Sequence, residues 1–99
     1  MTHREFMELK VGNVLRLAYF TKARGPVVFE TYWVIHEIPA ERLDFNMYIE
    51  LVYKSADEPN YYDVGAKISV GYHSLVNEDA LWSVLNPSWR NEFSCAVTH

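Results

Sequence analysis

The sequence contains a single cysteine, Cys95, so no disulfide bond can form within the chain. A lone thiol is typical of proteins from reducing compartments. No apolar run approaches the roughly 20 residues of a membrane-spanning helix, and the first residues lack the apolar core of a signal peptide. We therefore expect a soluble cytoplasmic protein that does not bind a membrane.

Basic residues are too few for a surface that binds the phosphate backbone of duplex nucleic acid. Lys and Arg number 9 against 13 Asp and Glu, which gives a net charge of −4, whereas duplex-binding modules normally carry a basic surplus. The 4 glycines are scattered, so none of them belongs to a phosphate-binding loop. No close-spaced pair of His or Cys occurs either, and we expect no metal ion and no cofactor.

Aromatic residues, in contrast, make up 15% of the chain, and most of them lie in runs where apolar and polar side chains alternate. The clearest runs are 30–38 and 46–54. Successive side chains of a strand point to opposite faces, so this alternation predicts a sheet with one buried face. A chain of 99 residues with a hydrophobic fraction of 49% can build one core but not two, which predicts a single domain over 1–99.

The pattern along the chain predicts a mainly β (α+β) fold with about five antiparallel strands in a bent sheet or a small, partly open barrel. The chain has no room for the helical crossovers that a parallel sheet needs. We predict strands at 14–20, 27–38, 46–55, 66–72 and 93–97. Their buried phase should include Trp33, Ile35, Ile49, Leu51, Tyr53, Ile68 and Val70.

Two helices are predicted, a short one near the N-terminus and one near 77–85. Thr2 and Glu5 have the spacing of a capping box, which marks the start of the first helix. Asn77 is the candidate N-cap of the second helix. The buried residues of this second helix would be Leu81, Trp82 and Leu85.

Residues 10–17, with the sequence Lys-Val-Gly-Asn-Val-Leu-Arg-Leu, resemble the opening strand of many small SH3-like barrels. In such barrels a glycine lets the chain bend into the first strand, so the resemblance implies a bend at Gly12. It implies no activity or ligand, because unrelated barrels share this run.

The second face of the long strands carries Tyr, His, Glu and Lys side chains. We interpret this face as a recognition surface, since tyrosine rings offer stacking area and charged groups fix orientation. The alternative is a solvated sheet face with ordinary cross-strand pairs. The candidate partner-binding residues are Tyr32, His36, Tyr48, Glu50 and Lys54.

The leading interpretation is a non-enzymatic binding protein that acts by stoichiometric occupancy of a partner protein, as inhibitors and adaptors do, and that forms homo-oligomers. Small acidic domains of this kind include those carried by phages and other mobile elements, although no residue points to such a source. One alternative is a small-ligand binder that sequesters a nucleotide-like anion with Lys22, Arg24, Tyr61, Tyr62 and Arg90. Another is a metal- or His-dependent hydrolase built on His36 and His73.

Overall fold

The computed structural model describes residues 1–20, 28–55, 62–79 and 81–85. Within them the strands are β1 Val14–Phe20, β2 Val28–Glu37, β3 Met47–Lys54, β4 Lys67–Val70 and β5 Trp82–Val84, and the helices are α1 His3–Met7 and α2 Tyr72–Leu75. All neighbouring strands pair antiparallel, in the order β4-β3-β2-β1-β5. The predicted mainly β fold with about five antiparallel strands is therefore confirmed, in the form of one open sheet.

One side of the sheet, which we call the inner face, carries the core. Phe6 from α1 and Leu75 from α2 pack onto it, so both helices lie on this side. Alternation along the strands leaves the opposite side, the outer face, to the other phase of each strand. The core consists of Met1, Phe6, Leu9, Leu15, Trp33, Ile35, Met47, Ile49, Leu51, Val70 and Leu75, with Ile68 partly buried against it. The outer face carries Val14, Arg16, Glu30, Tyr32, Val34, His36, Glu37, Tyr48, Glu50, Tyr53, Lys67 and Ser69.

The first helix begins at the predicted capping box. The Thr2 hydroxyl accepts a hydrogen bond from the Glu5 backbone N–H at 3.1 Å, and the Glu5 carboxylate accepts one from the Thr2 N–H at 2.9 Å. Two donors that no helical carbonyl can reach are thereby satisfied. The hydrogen bond from the Thr2 backbone, supported by the Thr2 hydroxyl, lowers the pKa of the Glu5 carboxyl.

The end of α1 is held by a side chain that the sequence pattern did not single out. The Nη1 atom of Arg42 donates to the backbone carbonyls of Phe6 at 3.2 Å, Met7 at 3.2 Å and Leu9 at 2.9 Å. The Phe6 carbonyl also accepts a hydrogen bond from the Leu9 backbone N–H at 3.2 Å. A cation is favourable at this end of the helix dipole, where the last carbonyls of a helix need donors from outside it. Arg42 thus attaches the segment between β2 and β3 to the first helix.

The chain enters β1 through a turn at Gly12. Its φ of 93° lies in the left-handed region that favours glycine, and its N–H donates to the Ile35 carbonyl at 2.8 Å. The bend implied by the resemblance to barrel-opening strands is confirmed. The sheet that follows is nevertheless open, with β4 and β5 at its two edges.

The helix predicted over 77–85 is wrong, because this stretch contains β5. That strand pairs antiparallel with β1, for example through Leu17 and Trp82. Trp82 and Val84 pack against the core from alternate positions of the strand. Aromatic and β-branched residues favour a strand, and the free edge of β1 provides the pairing partner. Strand pairing therefore overrides the helical spacing of the apolar residues. Leu81, predicted to be buried, is 41% exposed.

The second helix lies elsewhere, at the end of the strand predicted over 66–72. That strand stops at Val70, and Tyr72 begins α2. Both described helices have a single turn or little more, and no helix in the described part of the chain has the length and apolar character of a membrane crossing. The strand predicted over 93–97 lies outside the described residues.

A β-bulge interrupts the pairing of β2 with β3 near one end. Trp33 pairs with Leu51, but the preceding residue, Tyr32, pairs with Tyr53, so Val52 is an extra residue in β3. An extra residue shifts the phase of every side chain beyond it.

This phase shift overturns two predictions. Tyr53, expected in the core, lies opposite Tyr32 on the outer face and is 46% exposed. Lys54, expected on the recognition surface, lies opposite the fully buried Thr31 and therefore belongs to the inner face. Directly opposed residues of an antiparallel pair share a face, so the bulge places both residues on the face opposite to the predicted one.

A second bulge lies at the other end of the same strand pair. Ile35 pairs with Ile49 and Glu37 pairs with Tyr48, which leaves His36 as the extra residue in β2. A bulge of this kind sets two consecutive residues against one on the partner strand. It brings His36 and Glu37 together to the outer face beside Tyr48.

Candidate functional site

The outer face is the candidate site, because neither described helix covers it. Four of the five predicted partner-binding residues, Tyr32, His36, Tyr48 and Glu50, lie on it. The fifth, Lys54, lies on the inner face, because the bulge at Val52 shifts its phase. The alternation along the second strand places Glu30 on this face as well, but the predicted site omits it, and it also omits Arg16, Glu37 and Tyr53.

One end of the outer face is a cluster of two tyrosines and an ion pair. The rings of Tyr32 and Tyr53 lie 5.0 Å apart between centroids at an interplanar angle of 42°. The Tyr32 hydroxyl lies 3.4 Å from Oε2 of Glu30, a long hydrogen bond that it donates. Arg16, directly opposite Tyr32 in the register, donates from Nε to Oε1 of Glu30 at 3.0 Å and from Nη2 to the same oxygen.

The ion pair is only partly open to solvent, with side chains 35% exposed for Arg16 and 26% exposed for Glu30. The hydrogen bond to Glu30 raises the pKa of the Arg16 guanidinium, so the group stays charged. Fixed in this way, the guanidinium, the carboxylate and the tyrosine hydroxyl present a rigid polar edge beside the two rings. The alternation along β1 predicts that Arg16 lies on the polar face. No sequence signal predicts the same for Tyr53, because the bulge is not visible in the alternation along β3.

The middle of the outer face holds a histidine and a glutamate that the structure brings into direct contact. Nε2 of His36 lies 2.6 Å from Oε1 of Glu50. The bulge at His36 makes this contact possible from a position that does not face Glu50 in the register. Val34, opposite Glu50, separates the pair from the tyrosine cluster.

The other end of the outer face opens into a groove of about 580 Å³. Tyr48, 51% exposed, lies on one wall, and Phe45, 60% exposed, lies on the segment before β3. Glu37 and Asp44 also line the groove, and Pro39, Asn46 and Ser69 complete it. Two large rings and two carboxylates therefore meet at a concave surface.

Lys54 and Tyr62 meet on the opposite side of the sheet. Nζ of Lys54 donates to the Tyr62 carbonyl at 2.9 Å, and the Tyr62 ring lies edge-on to Trp33 with centroids 6.1 Å apart. Tyr62 is the only member of the predicted anion-binding set within the described residues. Lys22, Arg24, Tyr61 and Arg90 lie outside them.

The two histidines considered for a metal or hydrolase site are not on neighbouring strands. β3 lies between β2 and β4, and His73 belongs to α2, where its ring packs edge-on to Tyr72. Among the described residues, no three His, Cys, Asp or Glu side chains come together in a group that could hold a metal ion.

Comparison with known proteins adds no functional information. No protein-family model matches the chain, and neither the curated proteins nor the solved structures contain a significant match. Function has therefore to be inferred from the chemistry of the outer face itself.

Proposed function

We propose that this protein is a non-enzymatic binding protein that occupies a partner protein, or a second copy of itself, through the outer face. The observation that carries the proposal is the combination of exposed tyrosine rings with polar and charged groups that are already hydrogen-bonded to one another. Tyrosine buries a large area with little loss of rotamer freedom, and a few such residues usually supply most of the binding energy of an interface.

The hydrogen bonds between polar groups of the outer face make this face less costly to bury. An isolated charge loses its hydration in an interface, whereas a charge that keeps a bonded partner is partly compensated. Arg16 is bonded to Glu30, and His36 to Glu50. A partner could therefore cover the tyrosines without leaving these four groups unsatisfied.

The sheet edges offer less to a partner than the face does. Among the described strands, the edge strands β4 and β5 span only four and three residues. A strand added there would form few main-chain hydrogen bonds. We therefore propose that the protein recognises its partner through side chains of the outer face. Its effect would be to occupy the partner, as an inhibitor or adaptor does.

Self-association is tested first, by light scattering after size exclusion over a range of concentrations. If the protein forms an oligomer, Tyr48→Ala and Tyr53→Ala should each weaken it by more than about 1 kcal/mol, which is roughly fivefold. Val64→Ala is the matched control, because Val64 is 62% exposed and lies in the turn before β4. An oligomer that both tyrosine variants leave unchanged would contradict a role of the outer face in it.

A different protein partner is tested by a photo-reactive benzoylphenylalanine introduced in place of Tyr48, Tyr53 or Val64. The proposal expects the two outer-face positions to crosslink the same discrete protein, and the Val64 position not to. Equal crosslinking from all three positions would overturn it.

The anion-binding alternative predicts a different result. Lys22→Glu combined with Arg24→Glu should then abolish binding while both tyrosine variants retain it. A thermal-shift screen over nucleotides would show the corresponding ligand, since a bound ligand raises the apparent melting temperature.

A further inference from the structure

The groove at the end of the outer face has a composition that the tyrosine cluster lacks. Its two carboxylates, Glu37 and Asp44, form no side-chain hydrogen bond or ion pair with any described residue, whereas Glu30 and Glu50 on the same face are both bonded. Phe45 and Tyr48, both exposed, line the same groove. Uncompensated negative charge beside uncovered aromatic rings is the chemistry that recognises a cation.

The register of the strands gives this groove its geometry. Glu37 lies directly opposite Tyr48 in the β2–β3 pair. Side chains opposed in this way project from the same face with Cβ atoms about 5 Å apart. A planar cation stacked on the Tyr48 ring would therefore lie within hydrogen-bonding reach of the Glu37 carboxylate. Asp44, on the segment before β3, lines the same groove and adds a second acceptor.

We infer that this groove binds an arginine side chain of the partner protein. A guanidinium can stack its plane on an aromatic ring while it donates paired hydrogen bonds to a carboxylate, and an ammonium cannot do both. A volume of about 580 Å³ accommodates the side chain with part of the flanking backbone. The net charge of −4 favours a basic partner as well. The inference rests on the proposed function, and it names the chemistry by which one end of the outer face would select its partner.

The test uses a short peptide, acetyl-Gly-Arg-Gly-amide, titrated into the ¹⁵N-labelled protein. Its matched controls are the lysine peptide and the citrulline peptide, which keeps the arginine shape without the charge. We expect saturable shifts of the amide signals of Glu37, Asn46 and Tyr48 with the arginine peptide. The lysine peptide should bind several-fold more weakly, and the citrulline peptide should give no saturable shift.

Two variants separate the groove from general charge. Glu37→Gln with Asp44→Asn should weaken binding of the arginine peptide by at least about tenfold, as expected for the loss of charge-assisted hydrogen bonds. Glu78→Gln with Asp79→Asn removes the same charge from an exposed turn and should leave binding unchanged. Because all four substitutions change exposed side chains to isosteric amides, both variants should melt like the wild type.

The inference is overturned if the arginine peptide gives no saturable shift or if its shifts map away from the groove. It is equally overturned if the lysine or citrulline peptide binds with the same affinity as the arginine peptide. It is also overturned if both amide variants bind alike. Crosslinking at Tyr53 tests the proposed function separately. If arginine binding is absent but crosslinking at Tyr53 is retained, the outer face binds a partner and the groove does not bind arginine.

Discussion

The indole nitrogen of Trp33 donates a hydrogen bond to the Thr31 hydroxyl at 2.8 Å, and both side chains are almost completely buried. The two residues are neighbours on the inner face because positions i and i+2 of a strand point to the same side. Thr31 is the only polar residue among the described buried ones, and this bond satisfies the buried indole N–H.

Thr31→Val tests this bond, because valine matches the shape of threonine but offers no acceptor. The indole N–H would then be buried without a partner, and we expect the free energy of unfolding to fall by about 1–3 kcal/mol. Thr31→Ser keeps the acceptor and should cost about 1 kcal/mol or less, through the lost methyl group. Urea denaturation measures both. A valine variant more stable than the serine variant would contradict the importance of the bond.

Ile49→Ala tests the position of the core. Ile49 is 0% exposed in β3, between Ile35 and Ile68 in the register, so removal of its side chain should lower the free energy of unfolding by about 2–5 kcal/mol. Val52→Ala is the control on the same strand, because the bulge leaves Val52 42% exposed. We expect a change within about 0.5 kcal/mol for it. Thermal unfolding distinguishes the two, and equal melting of both variants would show that the strand phase is incorrect.

Arg42 and Arg4 form a second contrast. Arg42→Ala removes the donor to three carbonyls at the end of α1 and should cost about 1.5 kcal/mol, the lower end of the range for bonds to a charged group, since Arg42 is half-buried. Among the described residues, Arg4 forms an ion pair with Glu8 alone, and its side chain is 89% exposed, so Arg4→Ala should change stability by less than about 0.5 kcal/mol. Denaturant titration of both variants checks this order, and a reversed order would refute the capping role of Arg42.

Glu5 predicts a pH dependence with a defined sign. Its pKa is lowered in the folded protein, so its contribution to stability is present above the usual glutamate value of about 4.3 and is lost as the pH falls through the lowered value. Glu5→Gln keeps a capping acceptor without the charge. The wild type should therefore be more stable than the variant at neutral pH, and the two should converge in acid. Denaturation curves measured over this pH range check the convergence, and a constant difference would contradict it.

The alternating runs were sufficient to predict β2 and β3 and most of their buried residues. Side-chain periodicity, which is a local property of the chain, predicts the burial of Trp33, Ile35, Ile49 and Leu51, and all four are buried. The bulge at Val52 could not be predicted in the same way, because it exists only in the pairing of two strands. The misassignment of Tyr53 and Lys54 follows from that single extra residue.

The stretch over 77–85 shows a different limit of sequence reasoning. Its apolar residues fit a helix as well as a strand, and the choice depends on β1, which lies far away in the sequence. For the candidate site, polar phase and residue type predicted that His36 and Glu50 would share a face, and they are in contact. The unpaired Glu37 and Asp44 could not be recognised, since their lack of described partners appears only once the surrounding surface is known.

The pairing of β1 with β5 has a consequence for how the chain reaches its native state. β1 and β2 can form a hairpin early in synthesis. The other edge of β1 can pair only after β5, which contains Trp82, has left the ribosome, much later. Pairing between distant segments is slow, because a long loop must close first. Until then β1 presents an unpaired edge that other chains can join. We expect translation arrested after β4 to yield the most aggregation-prone form of this protein.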